Sequence, residues 1–145
     1  MDRVESAGSC FEEGFNCSQA VFSSFGPGLG LDRETALKVA GPFGGGMGRR
    51  GDTCGAVTGA FMVIGLRHGR TKADDEETRD RAYGLVREFV EEFESRNGSV
   101  ICREMLGFDI GTPEGLERAR QENLRGTRCR NFVRDAAGII EQMLE

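Results

Sequence analysis

Apolar residues recur at intervals of three and four along almost the whole chain, and that spacing points to helices nearly everywhere. The clearest case is Ala82, Leu85, Val86, Phe89, Val90 and Phe93, one apolar stripe on a segment from about residue 74 to 96. Acidic residues crowd its other face. Asp74 and Asp75 lie where a positive helix end favours carboxylates, and Asn97-Gly98 reads as a stop. No run of alternating β-branched residues argues for a strand. By the same rules, residues 3–25 are helical with an interruption expected around Gly14-Phe15-Asn16, and Asp32 caps a short helix through Ala40. A glycine-rich loop follows from Gly41 to Asp52, then a buried helix over 53–67. Ser99 is the expected cap of a short helix ending at Gly107. Thr112-Pro113 opens a further turn, and 128–144 forms the last helix, burying Phe132, Val133, Ala136, Ile140 and Met143. The expectation is an all-α protein: an irregular bundle of five or six helices with glycine-rich loops, one domain over 1–145.

Composition narrows the function. With 145 residues the chain is long enough to bury a core unaided. The net charge of -5 and the lack of a basic tract argue against nucleic acid as a partner. The longest strongly apolar run, Ala56 to Leu66, is too short for a bilayer, so no membrane partner is expected. The first residues lack the order of a signal peptide, and a cytoplasmic setting is the expectation. There cysteines serve more often as redox thiols or metal ligands than as structural disulfides.

The chain has 5 cysteines. Four of them fall near expected helix starts. Asn16 caps a helix that begins at Cys17, with Gln19 closing a capping box; Cys54 follows Asp52-Thr53; Cys102 follows Ser99; Cys129 follows Thr127. Free N–H groups and the positive helix end stabilise a thiolate there. Arginines stand beside three of them: Arg49 and Arg50 before Cys54, Arg103 after Cys102, Arg128 and Arg130 around Cys129. Loop, helix start and arginines coincide at Cys54, which is therefore expected to carry the most activated thiol, with a pKa below the free value of about 8.5. No Cys-x-x-Cys occurs, which argues against a zinc ribbon and a thioredoxin-type pair. A four-cysteine site would have to be assembled by folding. Cys10 is expected in the core.

The stretches Gly14-Phe15-Asn16-Cys17-Ser18-Gln19-Ala20-Val21, Phe43 to Gly48 and Cys54 to Ala60, followed by single Cys102 and Cys129, resemble the C_GCAxxG_C_C family, named for its cysteine pattern and regarded as redox-active. The resemblance runs from about Gly14 to Cys129. It departs at the central motif, where Thr53 precedes Cys54 and Gly55 follows it. The family implies thiol redox chemistry or a cysteine-bound centre. A related domain in a cytochrome with a non-haem iron centre makes iron or an iron–sulfur cluster the implied cofactor, held by Cys17, Cys54, Cys102 and Cys129.

Three function readings stay open. The leading one is a thiol-based oxidoreductase cycling Cys17, Cys54, Cys102 and Cys129 between dithiol and disulfide, with a redox protein or small thiol as partner. The second is an electron-transfer protein holding iron–sulfur or metal on the same four cysteines. The third is a non-catalytic helical interaction module. The glycine loop, through Gly44, Gly45, Gly46, Arg49 and Arg50, is the candidate cofactor-binding segment; it lacks the Lys-Ser/Thr of a phosphate loop, and its backbone is expected to lie close to the cysteine site. Gly55 and Gly59, with Ala56 and Ala60, make a small face suited to close helix packing, within the bundle or at the seam of a homodimer.

Overall fold

The computed structural model describes residues 2–144. Among them stand eight helices and no strand: α1 (Arg3–Glu12), α2 (Cys17–Phe25), α3 (Arg33–Ala40), α4 (Gly55–His68), α5 (Glu76–Asn97), α6 (Cys102–Leu106), α7 (Pro113–Gln121) and α8 (Arg130–Met143). The all-α expectation holds, with eight helices in place of five or six. The interruption expected at Gly14 is present: Gly14 takes φ 116 in the turn between α1 and α2. No helix is long and apolar enough to cross a membrane among the described residues.

Caps fix most helix starts as the residues dictate. Asn16 Oδ1 accepts the Gln19 amide at 2.9 Å while Gln19 Oε1 accepts the Asn16 amide at 3.0 Å, so the capping box forms at α2. Asp32 accepts from the Thr35 amide at α3, Asp75 from Thr78 at α5, and Thr112 from Gly115 at α7. Ser99 departs from expectation: its hydroxyl accepts from the Ile101 amide, and α6 starts later, at Cys102 behind Ile101.

The core gathers around α2, α4 and α8. Phe89 and Phe93 of α5 are fully buried, stack on one another at 5.8 Å, and reach Phe61 and Phe132. Val133, Ala136, Ile139 and Ile140 make the buried stripe of α8. The small face of α4 packs inside the bundle, against α2. A Cβ at Gly59 would stand 2.8 Å from the Ser18 carbonyl oxygen, and one at Gly55 would meet the Ser18 amide and the Cys17 Cβ at 3.0 and 3.1 Å. Only glycine lets α4 come this close. A Gly59→Ala substitution should destabilise the protein by about 1–2 kcal/mol, since overpacking outweighs the gain in helix propensity. A denaturant midpoint at or above that of the wild type would contradict the contact.

Two long-range features then position the functional end of the bundle. An isolated antiparallel bridge joins Thr53 to Ile101, with the Cys54 amide donating to the Val100 carbonyl at 2.8 Å and the Cys102 amide to Asp52 at 2.6 Å. The starts of α4 and α6 are thereby held side by side. Ahead of α8, residues Arg125–Cys129 form a π-turn in which the Cys129 amide donates to the Leu124 carbonyl at 2.9 Å.

Candidate functional site

A cavity of about 580 Å³ lies between these elements, and Cys17, Cys54, Cys102 and Cys129 all line it. Four residues from distant parts of the chain thus face one space. Cys10 does not. It is buried between α1 and α2, its Sγ 3.4 Å from the Ser23 hydroxyl, as expected of a core cysteine. His68 ends α4 away from the cavity, where burial and the charges of Arg81 and Arg67 lower its pKa.

Each cysteine arrives by its own local route. Cys17 is the first residue of α2, set by the Asn16 capping box. Cys54 is the N-cap of α4 and Cys102 the first residue of α6, paired through the Thr53–Ile101 bridge. Cys129 closes the π-turn. It is not at a free helix start, because its amide is already bonded to Leu124 and its backbone is helical. The helix-end argument therefore applies to three of the four.

The glycine loop forms one wall. Gly44, Gly45, Gly46, Gly48 and Arg49 line the cavity. Arg50 does not; its guanidinium holds Asp52 at 3.0 Å, and Arg103 holds the other carboxylate oxygen at 2.9 Å, keeping the Asp52 pKa low. Residues Gly45 to Arg49 all take positive φ, from 66 to 70. Such a left-handed run is open to glycine and costly for other residues. The tightest contact is at Gly46, where an added Cβ would lie 2.8 Å from the Cys102 Cβ and 2.7 Å from the Asp52 amide. The loop backbone is pressed directly onto the cysteine site.

The four thiols differ in ionisation. Burial pushes Cys54 up to about 12, against the opposing pull of the Ala56 and Val57 amides. Burial likewise pushes Cys102 up to about 11, aided by Cys129 and Asp109. Cys17 and Cys129 act on each other across the cavity, and that interaction splits them. It raises Cys17 well above the usual thiol range, with burial and the other three cysteines adding to the rise. It lowers Cys129, and the charges of Arg125 and Arg128 lower it further. The expectation that Cys54 is the most activated thiol is overturned. Arg49 and Arg50 do not act on it, and desolvation overrides the helix end. The acidic thiol is Cys129.

Arg125 was not legible as a functional residue in the sequence. Its guanidinium donates to the carbonyls of Phe11 and, at 2.9 Å, Phe15, and lies 3.9 Å from the centroid of the Phe11 ring. It ties the π-turn to the α1–α2 turn, and so holds Cys129 against Cys17.

Thiols are apt donors for iron–sulfur or zinc. Among the described residues, however, no three or more Cys, His, Asp or Glu side chains converge as a group able to hold a metal ion. Two of the four thiols are held protonated by burial, and the other two act on one another, which raises Cys17 and lowers Cys129. As arranged, the four cysteines share a cavity without forming a ligand set.

No curated protein and no solved structure matches the chain. One family profile does, across residues 15–143, and its description reads "Putative redox-active protein (C_GCAxxG_C_C)". The match takes in all four cavity cysteines and the glycine wall between them, and by it the chain belongs to the redox-active C_GCAxxG_C_C family.

Proposed function

We propose that the protein is a thiol–disulfide redox protein in which Cys129 attacks and Cys17 resolves. The placement of these two thiols carries the reading: they line one cavity and act on each other so that the pKa of one is lowered and that of the other raised. Of the two, Cys17 holds its proton more tightly, and ionisation of Cys129 is favoured by its interaction with Cys17 and by Arg125 and Arg128. Attack of the Cys129 thiolate on a disulfide sulfur gives a mixed disulfide and releases one thiolate. Loss of the Cys129 negative charge removes what held the Cys17 proton in place. Cys17 then gives up its proton, attacks the Cys129 sulfur and releases the second thiol, leaving a Cys17–Cys129 disulfide. Cys54 and Cys102 remain protonated throughout and wall the site.

Alkylation across pH, read residue by residue by mass spectrometry, tests the assignment. Cys129 should react at half-maximal rate below the ordinary thiol range and ahead of Cys54 and Cys102. Mild oxidation should yield one disulfide, Cys17–Cys129. Cys129→Ser should abolish exchange, and Cys17→Ser should trap the mixed disulfide on Cys129. A disulfide mapped to another pair, or a Cys17→Ser variant that turns over like the wild type, would overturn the reading.

The common cavity favours one other reading, a cysteine-bound metal centre. It requires Cys54 and Cys102 to ionise and the four sulfurs to close in on the ion. Elemental analysis of protein prepared without oxygen separates the two: iron and sulfide in stoichiometric amounts would replace the dithiol assignment.

A further inference from the structure

Apart from Cys129 when it is ionised, the charged residues that line the cavity are all cationic. Arg49, Arg120 and Arg125 border it, and no aspartate or glutamate does. This is unexpected in a chain of net charge -5, where 24 carboxylates compete for surface with 19 basic residues. All three arginines are exposed at the edge of the cavity. Arg49 has no ion-pair partner among the described residues, and Arg125, bonded to backbone carbonyls, has no carboxylate partner among them and acts on Cys129. Arg120 alone pairs with a carboxylate, Glu117, at 3.4 Å. Of the carboxylates beside the glycine wall, Asp52 is taken by Arg50 and Arg103, and Asp109 accepts the Gly111 amide at 2.8 Å outside the cavity lining. Behind the arginines the wall is apolar, formed by Met105, Ile110, Leu116, Leu124 and Phe132. The volume of about 580 Å³ suits a small molecule and excludes a folded protein from the thiols.

Resting on the dithiol reading above, we infer that the cavity takes a small anionic organic disulfide, its carboxylates at Arg49 and Arg120 and its sulfur–sulfur bond presented to Cys129. The reaction balances within the site. The Cys129 thiolate forms a bond to one substrate sulfur and expels the other half as a thiolate, which takes a proton. Cys17, losing its proton, then forms a bond to the Cys129 sulfur and expels the second half. The Cys129 thiolate and the Cys17 thiol together give up two electrons and one proton, water supplies the second proton, and the disulfide becomes two anionic thiols. The arginines act before chemistry, by raising the local concentration of anions over that of neutral or cationic analogues.

Three disulfides with the same two-carbon arms test the charge: 3,3′-dithiodipropionate, bis(2-hydroxyethyl) disulfide and cystamine. Each rate of protein oxidation is divided by the rate of the same disulfide with a free small thiol, which removes differences in leaving group. At low salt the normalised rate for the anionic disulfide should exceed that for the neutral one by about tenfold, with the cationic one slowest. The anionic-to-neutral ratio should fall toward one at high ionic strength, and in the Arg49→Gln/Arg120→Gln variant. Equal normalised rates, or fastest oxidation by cystamine, would overturn the inference while leaving the dithiol reading in place. Suberate, the carbon isostere that cannot exchange, reads the site without chemistry. It should shift the backbone amide resonances of residues 45–49 saturably in the wild type and not in the double variant. If no disulfide oxidises Cys17 and Cys129 yet suberate binds, the dithiol reading fails and the anion site stands; if suberate leaves those resonances unmoved, the anion site fails.

Discussion

Raising the pH from 8.5 to 10.5 should destabilise the folded protein by about 4 kcal/mol, and most of that loss should disappear when Cys54 and Cys102 are replaced by alanine. In the unfolded chain each thiol titrates near 8.5. In the folded protein burial holds Cys54 up to about 12 and Cys102 up to about 11. Across the interval the folded state therefore keeps protons that the unfolded state has lost. Stability is fully present below the unfolded value and falls as pH rises, at about 1.4 kcal/mol per unit for each thiol once the unfolded thiol is ionised. Cys17, also raised, adds in the same direction. Cys129, lowered, has the opposite sense: its contribution is present above the unfolded value and is lost as pH falls through the folded one. Few other groups obscure this limb. The chain has 1 tyrosine, exposed Tyr83, and its only lysines are Lys38 and Lys72. Urea unfolding at the two pH values under reducing conditions gives the slope. Truncating a buried thiol lowers stability at every pH, so the slope is the readout, and an unchanged slope in Cys54→Ala/Cys102→Ala would show that these thiols do not sit buried and neutral.

That alkaline sensitivity marks where sequence reasoning about the site ran out. In the sequence Cys17, Cys54, Cys102 and Cys129 share one placement, an expected helix start, and all but Cys17 have an arginine beside them. Position along the chain was legible, because Asn16 and Gln19 announce a cap and a glycine loop announces the start of α4. Burial was not. Whether a helix-end thiol is lowered or raised depends on how much water reaches it, and water access at Cys54 is set by the Thr53–Ile101 bridge, a contact between segments 48 positions apart. The pairing of Cys17 with Cys129 is longer-ranged still. It depends on the π-turn at Arg125–Cys129 and on the reach of Arg125 to Phe11 and Phe15. No local pattern of residues signals a π-turn. By contrast α5 was readable almost to its ends, from Asp75 to Gly98, because its stripe and caps all lie within one segment. That the small face of α4 packs closely was readable from Gly55 and Gly59 because small residues at four-residue spacing have few uses besides close approach, but that α2 is the partner, rather than a second copy of the chain, was not.

The glycine wall offers the clearest separation of backbone strain from contact with the site. Gly46→Ala should destabilise the protein by about 3–4 kcal/mol, whereas Gly48→Ala, two residues on, should do so by about 1–2 kcal/mol. Both positions have φ in the left-handed region, 69 and 66. Placing an L-residue there costs about 1–2 kcal/mol in either case. At Gly48 the nearest atom to an added Cβ is the Pro42 carbonyl oxygen at 3.7 Å, an ordinary contact. At Gly46 the new carbon would stand 2.7 Å from the Asp52 amide and 2.8 Å from the Cys102 Cβ. Neither neighbour yields easily. The Asp52 amide is bonded to the Gly46 carbonyl at 3.0 Å, and Cys102 is fixed through its own amide to Asp52. Relief must come by moving the loop or the start of α6, and overpacking of this kind costs about 1–3 kcal/mol more. Because Cys102 is the atom displaced, the variant should also let an alkylating agent reach that thiol in the folded state, with the protection of Cys10 unchanged on its far side of α2. Equal losses of stability at the two glycines, with Cys102 protected in both, would mean that the loop serves only its own turn and does not shape the cysteine cavity.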